Sequence, residues 1–315
     1  MSTPFVWTGR HDGDGPEHRR FHDCVVSDST LPVDAVLVGF ASDEGVARNK
    51  GRVGAVDGPV ALRSALASLA VHTDVVVLDA GDVTVDGGDL EDGQRRLGEA
   101  VAAGRGESDG ALRDDAPLTV VLGGGHESAW GSYRGLGQRP RLGILNLDAH
   151  FDLRDEERPT SGTPFLQIAR DRQAHGLDLH YAVLGVGVAS NTTALFDRAG
   201  ELGVPYLLDD DCQEPSEPLA FVRRFLEGVD EVHLSIDLDV LPAPVAPGVS
   251  APAALGVPTF VIQAVCDAVA DSGRLIHVDV TELNPTHDID GRTAKVAARL
   301  IERLITRTRA ARSVS

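Results

Sequence analysis

The sequence predicts an α/β protein of three layers, α/β/α, around a mainly parallel sheet of about eight strands. Short apolar or β-branched runs recur along all 315 residues. Several, such as LGILNL at 142–147, are almost continuously apolar, as strands buried on both faces of a parallel sheet are. Segments with helical spacing lie between them, which calls for right-handed strand–helix–strand crossovers.

Taken in order, strands are expected at 35–40, 75–78, 118–122, 142–147, 181–187, 205–208, 232–236 and 275–280. Helical spacing covers 60–69, entered through Pro59, a favourable first-turn residue, then 259–270 after Pro258, and 293–309. The polar stretch 104–117 (GRGESDGALRDDAP) reads as a surface loop, and 310–315 as a frayed tail. No Pro/Ser-rich linker or internal repeat divides the chain, so residues 1–315 are expected to form a single domain.

Composition excludes several functions. With 48 acidic against 29 basic residues, the net charge of −19 repels polyphosphate, so neither nucleic acid nor an anionic membrane is an expected partner. No apolar run approaches the roughly 20 residues of a membrane span. The N-terminal residues lack a signal peptide's apolar stretch, which makes the cytoplasm the expected compartment. Cys24, Cys212 and Cys266 share no metal-type spacing and form no disulfide framework. Lys50 and Lys295 are the only lysines among the basic residues.

Polar residues collect where the strands end, the place at which open parallel sheets bind ligands. TVVL runs into GGGHE (His126, Glu127), and LGILNL into DAHFD (Asp148, His150, Asp152). VHLSI runs into DLD (Asp237, Asp239), and IHVDV into TELNP, with Asp279 in the strand and Glu282 beyond it. In an extended segment, residues two apart share a face, so Asp148, His150 and Asp152 can converge, as can Asp237 and Asp239. Clustered carboxylates repel one another unless a cation lies among them. Four aspartates would be neutralised by two divalent ions, with His126 and His150 as neutral donors. An oxygen-rich set without thiolate favours Mn²⁺ over structural zinc. Two such ions about 3.5 Å apart would lower the pKa of a shared water. Taken singly, an aspartate after a strand is usually a helix cap, and GGG an ordinary tight turn; no Gly-Lys-Ser/Thr follows to make a phosphate loop. The three motifs together, each after an apolar strand, favour the metal site. His233, His277 and Asp279 lie within apolar strands, where core or supporting roles are expected.

The runs LGGGHE, NLDAHFD, SIDLDVLPAPVAPG and VDVTELNP resemble the ureohydrolase superfamily of arginase and agmatinase. WTGRHD, GVARNKGRVGAVDGPVALR, SGTPFLQIAR and GVGVASNTTALFDRAG place the likeness nearest its formimidoylglutamase branch, over about residues 7–304. The resemblance implies a binuclear manganese centre, two Mn²⁺ per subunit. His126, Asp148, Asp152 and Asp237 would hold one ion, and Asp148, His150, Asp237 and Asp239 the other. It also implies a homo-oligomer, a trimer or hexamer, and a Glu282 that faces the amidine of a small-molecule substrate. Agmatinase-like relatives carry a histidine before Gly-Thr-Pro-Phe; Ser161 stands there in this chain, as in formimidoylglutamases.

The reaction this implies is hydrolysis of N-formimidoyl-L-glutamate to L-glutamate and formamide, with Asp148 or Asp152 carrying the proton to the departing nitrogen. A substrate with two carboxylates needs cationic and amide donors. Arg154, Arg48, Asn49, Arg52 and Asn191 are the candidates, although Arg48 and Arg52 could equally pair with surface acids. The alternatives are another ureohydrolase, acting on a guanidino acid or amine, and a non-catalytic metal-binding relative, which would be expected to lack a ligand.

Overall fold

The computed structural model describes residues 5–28, 32–107, 113 and 115–313. Among these residues nine strands appear in chain order: β1 (Val25–Val26), β2 (Ala35–Ala41), β3 (Val77–Thr84), β4 (Leu118–Leu122), β5 (Leu142–Leu147), β6 (His180–Val186), β7 (Tyr206–Leu208), β8 (Glu231–Asp237) and β9 (Leu275–Thr281). They form one sheet in the order β1-β3-β2-β4-β9-β8-β5-β6-β7, and all their pairings are parallel. The connecting helices are α1 (Glu44–Arg48), α2 (Gly58–Ala67), α3 (Leu90–Gly104), α4 (Ser128–Leu136), α5 (Pro164–Ala174), α6 (Thr193–Glu201), α7 (Ser216–Glu227), α8 (Thr259–Asp271) and α9 (Arg292–Arg312).

Two apolar cores make the three layers. On one face of the sheet Leu62, Val222, Val265 and Ile301, from α2, α7, α8 and α9, pack on Leu37, Leu145 and Leu234. On the other, Leu97, Tyr133, Ile168 and Ala199, from α3, α4, α5 and α6, pack on Val38, Val121 and Ile144. Burial on both faces is why the central strands read as unbroken apolar runs.

The differences from expectation have local causes. β1 is only two residues long and carries no pattern. β3 begins at Val77 and runs six residues past the expected end, through Asp79, Gly81 and Asp82. Those polar residues fit a strand because Arg63, fully buried on α2, pairs with Asp79 at 2.9 Å and Asp82 at 2.5 Å, and because the register shifts beside Gly81 (φ 80°). Residues 310–312, expected to fray, continue α9, where Arg312 donates to the carbonyls of Ala116 and Leu275. Part of the 104–117 loop, and residues 314–315, lie outside the described residues.

In the sheet order β4, β9, β8 and β5 are consecutive, and they sit at its centre. These are the four strands whose C-terminal ends carry the clustered acidic and imidazole residues. Crossovers on both sides open a crevice there.

Candidate metal centre

The turn after β4 is set by close backbone approach. A Cβ on Gly124 would lie 1.8 Å from the carbonyl oxygen of Ser42, while Gly124 N–H donates to Phe40 and its carbonyl accepts from Glu282 N–H. The glycines thus join the exits of β2, β4 and β9 and form no phosphate cradle. His126 follows, fully buried. Its Nε2 lies 2.9 Å from Ser235 Oγ, and its ring meets Phe165 edge-on. With the proton on Nε2, the Nδ1 lone pair faces carboxylate oxygens of Asp148 (3.2 Å), Asp152 (2.9 Å) and Asp237 (3.2 Å). None of these contacts has hydrogen-bond alignment: Nδ1 is a buried nitrogen without a partner. One lone pair and three carboxylates directed at a common point is the arrangement of a cation's ligands, so the donor set fits a metal.

A second group shares Asp148. His150 Nδ1 lies 3.0 Å from Asp239 and 3.4 Å from Asp148. Among the described residues three groups could hold an ion: His126, Asp148, Asp152, Asp237; Asp148, His150, Asp239; and, within the strands, His233, His277, Asp279, whose members are already hydrogen-bonded to one another. All six expected ligands come together.

They do so by a different route from strand alternation. β5 ends at Leu147, and Asp152 has a left-handed backbone (φ 48°). The loop folds back because Asp148 Oδ1 accepts from His150 N–H at 2.6 Å and Asn146 Nδ2 donates to Asp148 Oδ2 at 2.9 Å. Asp239 lies in a 3₁₀ turn, its N–H donating to Asp237 Oδ1 at 2.8 Å.

The electrostatics agree with the geometry. Burial, then Asp239 and Asp148, push the Asp237 carboxyl well above the ordinary range, and burial with Asp148 raises Asp152. Burial opposes a charged His126, yet Asp148, Asp152 and Asp237 outweigh it and hold the ring well above the usual imidazole value. Such mutual repulsion is what a cation relieves. Glu282, at φ 67° after β9, accepts from His126 N–H through Oε1 at 2.9 Å; burial and the Glu127 charge push it up to about 8.

A cavity of about 370 Å³ opens above these groups, lined by His126, His150, Asp152, Asp237, Asp239 and Glu282. Asn49, Lys50, Arg52, Arg154 and Ser161 also line it. Asn49 Nδ2 donates to Ser161 Oγ at 3.1 Å, and Arg52 donates to the carbonyls of Ser250 and Val249. The Arg154 backbone N–H donates to the Gly162 carbonyl at 2.8 Å, but its guanidinium has no hydrogen-bond or ion-pair partner among the described residues.

Two expected substrate residues are placed elsewhere. Arg48 does not line the cavity: its guanidinium is held by Glu44, Glu91 and the carbonyls of Gly88 and Pro159. Asn191 lies behind the ligand loop, accepting from Phe151 N–H and donating to Ala149 and Gly187. Both are loop staples. Sequence reasoning also passed over Ser235, which shares the face of β8 that carries Asp237, and gave no role to Lys50, which lies within the run GVARNKGR.

These clusters and this sheet define a class. The sequence profile of the Arginase family matches residues 33–306, and the chain belongs to that family. Among its relatives, the formimidoylglutamase of Nocardia farcinica is 55% identical over 309 residues, covering 96% of each chain. That of Rhodococcus jostii is 54% identical over 314 residues, again covering 96% of both. The fold matches Trypanosoma cruzi formiminoglutamase, solved with Mn²⁺, at a TM-score of 0.77 and 24% identity, over 87% of this chain and 93% of that one. It also matches Bacillus subtilis formimidoylglutamase at 0.80 and 21%, over 92% and 91%.

Proposed function

We infer that this protein hydrolyses N-formimidoyl-L-glutamate to L-glutamate and formamide, using two Mn²⁺ ions per chain. One observation carries the reading: a single cavity is lined both by acidic and imidazole groups suited to cations and an amidine, and by an arginine whose guanidinium has no partner among the described residues and suits a carboxylate. The names of the relatives support the same substrate.

His126, Asp148, Asp152 and Asp237 would hold one ion, and Asp148, His150, Asp237 and Asp239 the other. When bound, the pair supplies Lewis acidity and hydroxide near neutral pH. The protein's own residues do the rest. Glu282, fixed through Oε1 by the His126 amide, has Oε2 left to accept from the amidine N–H and orient its plane. Arg154, two residues from Asp152, takes the α-carboxylate as a forked donor. Asn49 and Ser161, hydrogen-bonded together, and Arg52 line the same cavity. Both oxygens of Asp148 already accept, from Asn146 and His150, whereas Asp152 Oδ1 is uncommitted. Asp152 is therefore the better carrier of the proton to the departing glutamate nitrogen.

One nine-stranded sheet supports the single-domain reading of residues 1–315. Three free, buried cysteines support a cytoplasmic setting. No helix among the described residues is long and apolar enough to cross a membrane. A trimer or hexamer goes with the family resemblance and is checked by light scattering.

The deciding experiment measures formamide released from N-formimidoyl-L-glutamate by the Mn²⁺-loaded protein. Urea release from agmatine, arginine and guanidinobutyrate is followed alongside. Formamide without urea is expected; urea without formamide rejects the substrate, and neither product rejects catalysis on this class.

A further inference from the structure

We propose that Lys50 is the residue that selects a dicarboxylate, by pairing with the distal carboxylate of the substrate while Arg154 takes the proximal one. This rests on the reading above and adds a specificity residue to it.

Lys50 lines the cavity together with Asn49, Arg52 and Arg154. It follows α1 as the first residue beyond the helix cap, Asn49. There the chain closes a Schellman turn: Lys50 N–H donates to Ala47 (3.0 Å) and Gly51 N–H to Val46 (2.8 Å). That position requires a left-handed backbone and is ordinarily glycine. Lys50 adopts it with φ 61°, although a glycine lies next in the chain. A side chain kept where it strains the backbone points to a use for that side chain.

Charge gives the use. The protein draws its cations almost wholly from arginine, with lysine at 50 and 295 only. Lys295 donates to the Asp290 carbonyl, whereas the Lys50 ammonium meets no partner among the described residues. The cavity's cationic side chains are Arg52, Arg154 and Lys50; Arg52 already donates to the carbonyls of Ser250 and Val249, which leaves Arg154 and Lys50 as the two with no partner among the described residues. The two differ in depth. Arg154 is half-buried, close to the ligands, and Lys50 is exposed at the rim. N-formimidoyl-glutamate has the same layout, one carboxylate on the carbon next to the amidine nitrogen and the other three carbons further out. A flexible ammonium suits an outer carboxylate that stays partly hydrated.

The test compares kcat/KM for N-formimidoyl-L-glutamate with that for its γ-amide, N-formimidoyl-L-glutamine, in the Mn²⁺-loaded wild type, K50Q, K50R and K50G. The ratio of diacid to γ-amide should fall about tenfold in K50Q and K50G, the worth of one charge-assisted hydrogen bond, mainly through KM for the diacid, and be largely restored in K50R. K50G should melt no lower than the wild type, since glycine relaxes the turn, so its lost selectivity cannot be put down to unfolding. A ratio within twofold of wild type in K50Q overturns the assignment while leaving the substrate reading intact. A wild type that releases no formamide from the diacid overturns both.

Discussion

At the scale of single residues, the site is a problem of charge placement. Asp237 belongs to the His126 cluster, 3.2 Å from that ring's nitrogen, and is repelled by Asp148 and Asp239. Asp237→Asn should lower bound manganese, measured by elemental analysis, from two ions per chain to one or fewer. Formamide release should fall by more than about 100-fold, since even outer-shell partners of a metal are worth up to that much. After chelation, the same variant should melt no lower than the wild type, because the amide removes one charge from a repelling cluster. Unchanged metal content would reject Asp237 as a ligand. All six candidate ligands, which the structure brings together, were legible in the sequence because acids and imidazoles stand out directly after an apolar strand. Ser235 and Lys50 were not. A serine inside a strand and a lysine after a helix are common, and only the His126 contact and the left-handed backbone set them apart.

At the scale of elements, what the sequence concealed was polar residues with buried partners. β3 reads as a loop from Asp79 onward because its partner Arg63 is distant in sequence. The parity argument brought the right residues together through the wrong geometry: the ligand loop 148–152 is held by hydrogen bonds to its own backbone and to Asn191. Asn191 also looked like a substrate donor, because an exposed loop amide and a buried staple have the same letter in a sequence. Asn191→Ala strands the Phe151 N–H and removes one of the two hydrogen bonds to the Ala149 carbonyl, which keeps the Gly187 N–H. It should cost about 2–3 kcal/mol in urea unfolding and weaken manganese binding roughly tenfold. The ratio of activity on the diacid to that on its γ-amide should stay as in the wild type. A selective loss on the diacid would return Asn191 to the residues that bind substrate.

At the scale of the whole molecule, the crevice exists because β4, β9, β8 and β5 are neighbours, although they lie far apart along the chain. Strand identity is local and was readable; strand order depends on which crossovers pack, and no local pattern encodes it. Beneath the ligands, the same central strands are joined by a buried polar network. Asp279 on β9 meets His233 Nε2 (2.5 Å) from β8, His277 Nε2 (2.9 Å) from its own strand and Ser132 Oγ (2.5 Å) from α4, and Thr119 Oγ1 on β4 lies 2.6 Å from His277 Nδ1. Burial, with lesser repulsion from His233 and Arg105, pushes His277 down to about 4 against the attraction of Asp279. The unfolded chain therefore binds a proton between about pH 6.5 and 4 that the folded chain refuses. Stability from this group is complete above pH 6.5 and is lost as the pH falls to 4, on the order of 3 kcal/mol in all. Asp279, held low by His233 and His277 in spite of its burial, adds its own loss only below about pH 4. Urea unfolding at pH 7, 5.5 and 4.5, with chelator present so that metal release does not intrude, should show this slope in the wild type. His277→Gln, which keeps a polar group but cannot take the proton, should be less stable at pH 7 yet lose less on acidification. Parallel slopes for the two proteins would show that the network's acid sensitivity lies elsewhere than His277.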